Sequence, residues 1–418
     1  MHVAIEVDPS ARSRQPCADP AEGDQPTVPG EGAQRVQLER AVGVAQLVLQ
    51  LGQAGAEWQG VGRLDGAAQG VQRLRILAEQ RPPGERRDVR AGHVATVTNP
   101  ATERAPPLAY HRRMAKPLTL LTVHAHPDDE TISTGGVMAR AAAAGLRVVC
   151  VTCTDGALGE IVVPERDTPA EHERLAETRA AELAQALETL APGGGIEQRW
   201  LGYRDSGMMG TAGNEDQRAF WQADWAEAVG RLVRIVRDVR PEVVVGYNEF
   251  GGYGHPDHIR AALAARDAFE AAGDPAAYPE QLQGPTALEP WTPLKRYETV
   301  LQFSRLEELQ AELASQGIQT PWGPNEDETA EERAEREAWL ARMAEATGPI
   351  TTRVDVRDFL ERKMAALRAH ATQISPTHPF VALGADAWAR YQPTEDFTLR
   401  VSRIGVRLPE DDLFDGLR

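Results

Sequence analysis

An apolar stretch that ends abruptly in acidic residues constrains this sequence more than any other feature. Residues 118–124 read LTLLTVH, and such a run of aliphatic and β-branched residues is typical of a buried strand. After Ala125 the chain continues with five residues of a different kind: His126, Pro127, Asp128, Asp129 and Glu130. One imidazole and three carboxylates therefore follow a predicted strand. In open α/β sheets that end of a strand is where ligands bind.

Strands and helices alternate regularly from this point. Strands are expected at 118–124, 146–153, 197–203, 242–248 and 296–304. Helices are expected at about 133–145, 169–190, 217–239 and 259–273, the first capped by Ser133 or Thr134 and ended by Gly145. The stretch 242–248 is almost wholly apolar, as in a strand covered on both faces. This alternation predicts a doubly wound parallel sheet.

A second acidic loop follows the apolar strand 242–248, where the sequence reads FGGYGHPDH. The ends of parallel strands meet at one edge of a sheet, so the two His-Pro-Asp loops can converge. Histidine and aspartate together suit a divalent cation such as zinc, and three protein ligands with one open position make a catalytic site. A single histidine near a helix start is more often simply hydrogen-bonded. Two such loops after two strands favour a metal site.

Composition excludes several classes of function. The formal net charge of −17 argues against a nucleic-acid surface and against an anionic membrane. No run approaches the roughly 18 apolar residues of a membrane span, and the first residues lack the apolar core of a signal peptide, so a cytoplasmic location is expected. Cys150 and Cys153 alternate along a predicted strand, which favours buried thiols over a redox pair. Cys17 is the third cysteine.

The paired motifs carry a resemblance to a known family. HAHPDDE at 124–130 and GGYGHPDH at 251–258 resemble the PIG-L/LmbE metal-dependent de-N-acetylases. The resemblance is greatest to the bacterial branch that deacetylates the N-acetylglucosaminyl intermediate of mycothiol biosynthesis, with relatives in bacillithiol biosynthesis and mycothiol-conjugate cleavage. It covers about 118–400, including RDSGMMGT at 204–211 and RAHATQ at 368–373. It implies a Rossmann-like, mostly parallel α/β sheet with helices on both faces.

The resemblance also implies roles for individual residues. Three would be metal ligands: His126, Asp129 and His258. Asp128 would be the general base, and Tyr253 and His255 would polarise the amide carbonyl or stabilise the oxyanion. His255 is also a candidate to protonate the leaving amine, because imidazole titrates in a suitable range. The implied metal is Zn²⁺, although Fe²⁺ and Co²⁺ are compatible with the same ligands.

Four further residues are candidates for the surroundings of the site. The resemblance implies that Arg179 and Asp205 hold sugar hydroxyls, although an arginine in a charged helix is as readily an exposed side chain. Glu130 and Asp257 are expected behind the metal ligands, where they would orient the imidazoles. The alternative for both acids is a helix N-terminus, where the macrodipole favours negative charge.

The expected substrate is a small amino sugar, an N-acetylglucosaminyl glycoside with inositol or malate as aglycone. A mycothiol S-conjugate amidase and an antibiotic-sugar deacetylase are the alternatives. A catalytically silent sugar-binding protein would have lost the base or a ligand, and both are present. A dinucleotide-binding oxidoreductase would carry GxGxxG after its first strand instead of HPDDE.

Two segments differ from the rest of the chain. Residues 1–113 lack sustained alternation and suggest either a flexible extension with a helix or two at 36–80 or a start assigned too early. The second interpretation, with initiation at Met114, is favoured. Residues 114–418 would form the deacetylase domain. Within it, 305–347 is a charge-dense helical insertion, expected to be a solvated face or a lid.

Overall fold

A seven-stranded sheet forms the centre of the computed structural model, which describes residues 117–300, 306–315 and 328–418. Its strands are β1 Thr119–His124, β2 Arg147–Thr154, β3 Ile196–Tyr203, β4 Val243–Gly246, β5 Lys295–Val300, β6 Thr352–Asp355 and β7 Thr394–Ser402. They are ordered β3-β2-β1-β4-β5-β7-β6. The first five are parallel, and β7 runs antiparallel to β5 and β6. The predicted mostly parallel α/β sheet is confirmed.

The strand order reverses between β1 and β4. From β1 the chain moves outward through β2 to β3, and then returns to place β4 on the other side of β1. Leu120, Leu121 and Thr122 of β1 pair with the three valines of β4. The loops after these two strands therefore open into one crevice, where open α/β sheets bind ligands.

Helices cover both faces of the sheet. They are α1 Asp129–Ala143, α2 Pro169–Glu173, α3 Leu175–Leu190, α4 Trp225–Val239, α5 Pro256–Ala271, α6 Leu306–Ser315, α7 Ala330–Ala346, α8 Leu360–Ala369, α9 Pro379–Ala382 and α10 Gly384–Tyr391. Residues from α1, α3, α8 and α10 build one core layer, and residues from α4 and α5 build the other. Cys150 lies in the first layer and Cys153 in the second. Both are free and buried, as predicted from the alternation.

All four helix predictions were wrong at their boundaries, and the last of them, 259–273, runs instead from Pro256 to Ala271. Helix α1 begins at Asp129 with Asp128 as its N-cap, so Ser133 and Thr134 lie within the helix. The predicted helix 169–190 is divided at Arg174. The predicted helix 217–239 begins only at Trp225, because the side chain of Asp224 caps it by accepting the N–H of Glu227.

The charged insertion is more than a solvated face. Its described residues include α6 and α7, in which the side chains of Leu313 and Met343 respectively are buried. The indole N–H of Trp339 on α7 donates to the backbone oxygen of Tyr253 at 3.2 Å. The predictions for residues 1–113, Cys17 and 301–304 lie outside the described residues. Among the described helices, none is long and apolar enough to cross a membrane.

Candidate active site

Two helix N-termini face each other in the crevice between β1 and β4. Helix α1 carries Asp129 and Glu130 in its first turn. Helix α5 has His255 at its N-cap, Pro256 at its first position, and Asp257 in its first turn. Proline is favoured there because its missing N–H would have no helical partner. The two His-Pro-Asp loops are thus brought together, as the sequence predicted.

Three potential metal-ligating atoms converge at the centre of the site. His126 Nδ1 lies 3.2 Å from His258 Nε2 and 3.4 Å from Asp129 Oδ2, and His258 Nε2 lies 3.3 Å from the same carboxylate oxygen. All three residues are buried. Tetrahedral ligands at zinc distances would lie about 3.3–3.6 Å apart. The three atoms therefore match the spacing that a bound divalent cation requires.

A second set of acids lies behind His126. Its Nε2 is 3.2 Å from Asp257 Oδ2 and 3.5 Å from Asp205 Oδ1. Asp257 also accepts the backbone N–H of Ser206 at 2.8 Å and the Ser206 hydroxyl. A carboxylate on the distal nitrogen of a histidine sets its tautomer and orientation. Asp257 thus has the contacts expected of a residue that orients a ligand imidazole.

The electrostatics of the cluster favour a cation. Although burial alone would lower it, the pKa of His126 is held well above its ordinary value by Asp205, Asp129 and Asp257. Burial would raise the pKa of Asp129, but His258 and His126 hold it well below its ordinary range. Metals compete with protons for such groups. A divalent cation bound here would take the place of the proton on His126.

Asp128 stands beside this cluster without joining it. Burial raises the pKa of Asp128 to about 6, and Arg179 is the strongest of the groups that oppose this rise. One guanidinium nitrogen of Arg179 donates to Asp128 Oδ2 at 3.1 Å and to the backbone oxygen of Pro127 at 2.6 Å. A carboxylate with a raised pKa and partial exposure is well suited to exchange protons near neutral pH.

His255 and Tyr253 border the same space. His255 Nδ1 accepts the backbone N–H of Asp257 at 3.1 Å, so its hydrogen lies on Nε2 in the neutral form. Burial, together with His126 and His258, holds the pKa of His255 well below its ordinary value. Burial raises the pKa of Tyr253, and its hydroxyl lies 3.5 Å from His258 Nε2. Both side chains are neutral donors at the rim of the cluster.

The two candidates for sugar binding, Arg179 and Asp205, both have protein partners. Arg179 is buried, not exposed, and also donates to the backbone oxygen of Gly156 at 2.9 Å. Asp205 accepts the backbone N–H of Leu158 at 3.1 Å and that of Gly207 at 2.8 Å, one on each oxygen. These polar groups hold the loops around the site. Contact with sugar hydroxyls stays a prediction for both residues.

The prediction for Glu130 was wrong in its target. Glu130 is fully buried and contacts neither of the imidazoles in the central cluster. Its carboxylate accepts the backbone N–H of Asp128 and a hydrogen from His370. From the sequence, His370 was noted only as part of the stretch RAHATQ at 368–373 and was given no role. The signal that could have singled it out is a histidine directly after the end of a helix. Glu130 therefore supports the loop that contains Asp128, and not the imidazoles of His126 and His258.

A buried cluster of histidine and aspartate that could hold a metal ion, with a further carboxylate beside it at an α/β switch point, has the make-up of a metal-dependent hydrolase. Comparison with known proteins makes this more specific. Residues 121–269 match the family model described as PIG-L, GlcNAc-PI de-N-acetylase.

Curated relatives extend the match over a larger share of the chain. A 1D-myo-inositol 2-acetamido-2-deoxy-alpha-D-glucopyranoside deacetylase of Geodermatophilus obscurus is 44% identical over 305 residues, 71% of this chain and 97% of the relative. A protein of the same description from Acidothermus cellulolyticus is 42% identical over 310 residues, 72% of this chain and 95% of the relative. This chain belongs to the PIG-L family of de-N-acetylases and is a hydrolase of acetamides.

The solved structures that are similar to this chain include an N,N'-diacetylchitobiose deacetylase from Pyrococcus horikoshii. It is 18% identical to this chain, with a TM-score of 0.46, and the match covers 82% of this chain and 95% of that one.

Proposed function

We propose that the protein is a zinc-dependent deacetylase that removes the acetyl group from an N-acetylglucosaminyl glycoside, with inositol as the leading aglycone. The observation that carries the proposal is the convergence of His126 Nδ1, Asp129 Oδ2 and His258 Nε2 within 3.2–3.4 Å of one another. The substrate follows from the relatives, which are described as deacetylases of the inositol glycoside. A cytoplasmic location remains part of the proposal.

The metal ligands are His126, Asp129 and His258. Ligand atoms of His126, His255 and His258 also lie within 4.8 Å of one another. Asp129 is preferred over His255 because its Oδ2 lies within 3.4 Å of both facing imidazoles, whereas His255 Nδ1 is occupied by a backbone N–H. Zinc suits this mixed nitrogen and oxygen donor set. When bound, it supplies Lewis acidity that lowers the pKa of water from 15.7 toward about 7.

Asp128 takes the proton of the attacking water. Its carboxylate is close to the ligands but not one of them, and its raised pKa makes it basic enough for the task. As the water oxygen bonds to the acetamide carbon, charge develops on the carbonyl oxygen. Tyr253 and His255 Nε2 are the neutral donors that would stabilise it, an effect typically worth about 2.7–4 kcal/mol per well-placed donor.

The leaving amine then needs a proton as the carbon–nitrogen bond breaks. Asp128 holds the proton that it took from water, and transfer to the amine nitrogen returns it to the carboxylate form. His255 is less suited to this step, because burial together with His126 and His258 holds its pKa well below the ordinary value, and a neutral imidazole is a weak acid. The products are acetic acid, which keeps the second proton of the water, and the free amino sugar, and the protonation of the protein is restored.

The test measures amine release from a panel of N-acetylglucosaminides by metal-stripped protein, with and without added Zn²⁺. Release that depends on metal and is greatest for the inositol glycoside is expected. No release from any acetylated sugar by protein with metal demonstrably bound would refute the proposal.

Two variants separate the proposed base from the ligands. Asp128→Ala should retain zinc and lose most turnover, whereas His126→Ala should lose both. Equal metal loss in the two variants would contradict this assignment of base and ligand.

A further inference from the structure

Asp128 adopts a backbone conformation that is unfavourable for a residue with a side chain. Its φ is +124° and its ψ is −33°, a region that side-chain-bearing residues rarely occupy. Strain of this kind persists only where the surrounding contacts determine it. As the N-cap of α1, Asp128 makes no side-chain capping bond to the helix, so its carboxylate remains available to the site.

Glu130 provides one of those contacts. Its Oε2 accepts the backbone N–H of Asp128 at 2.9 Å. Its Oε1 accepts the Thr131 hydroxyl and lies 2.9 Å from His370 Nε2. Glu130, Thr131 and His370 are all fully buried. A buried carboxylate needs such donors, and here they fix both of its oxygens.

His370 reaches this position from the loop that follows α8. Its backbone oxygen accepts the N–H groups of Gln373 at 3.0 Å and Ile374 at 2.8 Å. Thr372 donates from its backbone and its hydroxyl to Glu182 at 2.9 and 2.6 Å. Glu182 lies on α3, one turn from Arg179, which itself donates to the Asp128 carboxylate. The loop is thus held tightly, and His370 with it.

We propose that His370 and Glu130 are positioning residues that hold Asp128 in the orientation required for proton transfer. His370 Nε2 donates to Glu130, and Glu130 in turn fixes the backbone N–H of the base. The hydrogen bonds of these two side chains go to one another, to Asp128 and to Thr131, and not to the donor atoms of the metal ligands. The inference rests on the proposed role of Asp128 as base. An acid that served only as a helix N-terminal charge would require no histidine partner.

The test compares His370→Leu with His370→Gln, using full-length zinc-loaded protein and the acetylated sugar that it cleaves. Leucine removes the donor to Glu130. Glutamine retains an N–H close to the position of Nε2. His370→Leu should lower kcat by roughly 10–100-fold, the usual effect of losing a residue that supports a catalytic group. KM and zinc content should stay within about twofold of the wild type, because the ligands and the binding groups are untouched. His370→Gln should recover much of kcat.

Thr352→Val is the matched control. The Thr352 hydroxyl donates to the buried carboxylate of Glu410 at 3.1 Å, and β6 is an edge strand on the far side of the sheet from β1. The variant therefore also deletes a donor to a buried glutamate, but away from the site. It should lower the melting temperature and leave kcat unchanged.

Asp128→Asn separates the two levels of inference. If Asp128→Asn keeps full activity, the proposed base is wrong and the proposed function loses its mechanism. If Asp128→Asn is inactive while His370→Leu keeps wild-type kcat, only the positioning role is refuted. The positioning role would also be refuted if His370→Leu lost activity through a changed KM or zinc content and His370→Gln did not restore that activity. That result would indicate a purely structural role for His370.

Discussion

Replacing Arg179 by glutamine should shift the pH dependence of the reaction. The guanidinium donates to Asp128 and Pro127 in the loop after β1 and to Gly156 in the loop after β2, and so joins the two loops. It is also the strongest of the charges that oppose the burial-driven rise in the pKa of Asp128. Arg179→Gln removes this charge, whereas Arg179→Lys keeps a cation without the planar fork. Comparing the two variants therefore distinguishes the effect of the positive charge from the effect of the planar guanidinium.

The sign and size of the effect follow from the role of the base. Asp128 must be ionised to accept a proton, so activity is lost as pH falls through its pKa. A neighbouring arginine lowers the pKa of an aspartate by about 1–3 units. Without it, the pKa of Asp128 should rise from about 6 to roughly 7–9. The ionised fraction at pH 7 then falls from about nine tenths to between roughly one half and one hundredth.

The assay is kcat/KM for the acetylated sugar from pH 5 to 10, measured on zinc-loaded wild type, Arg179→Gln and Arg179→Lys. A bound divalent cation lowers the pKa of Asp128 in all three proteins, so the difference between the acid limbs is the quantity of interest. The glutamine variant should recover at high pH, and the lysine variant should shift less. An acid limb at the same pH in the wild type and in Arg179→Gln would refute the reasoning.

Three further outcomes are expected. Asp257→Asn should weaken zinc affinity by roughly 10–100-fold in a chelator competition titration, because Asp257 contacts His126 Nε2; unchanged affinity would remove Asp257 from that role. Lys295→Met should lower the free energy of unfolding by about 3–5 kcal/mol, since it leaves the fully buried Glu410 without its cation. Urea denaturation should show this with kcat/KM unaltered, and a loss below about 1 kcal/mol would contradict it. Trp339→Phe should reduce kcat/KM by roughly 2–10-fold through loss of the bond to Tyr253; wild-type kinetics would show that α7 does not support this loop.

Much of the fold could be predicted because its signals are local. The apolar runs of β1 and β4 were recognisable without any partner, and the helices between them provided the crossover connections of a parallel sheet. Helix boundaries were less accurate. The N-terminus of α1 was placed too late because Asp129 and Glu130 were interpreted as loop acids, although acidic residues are favoured in a first helical turn.

The sequence by itself determined the class of fold, the two His-Pro-Asp loops and the edge of the sheet where they meet. The contacts of His370 and Trp339 were decided only by the tertiary structure. His370 meets Glu130 across 240 positions of the chain, and Trp339 meets Tyr253 across 86. Periodicity and turn chemistry report on neighbours in sequence. A hydrogen bond between distant segments depends on how whole helices pack, and so leaves no local pattern by which it could be found.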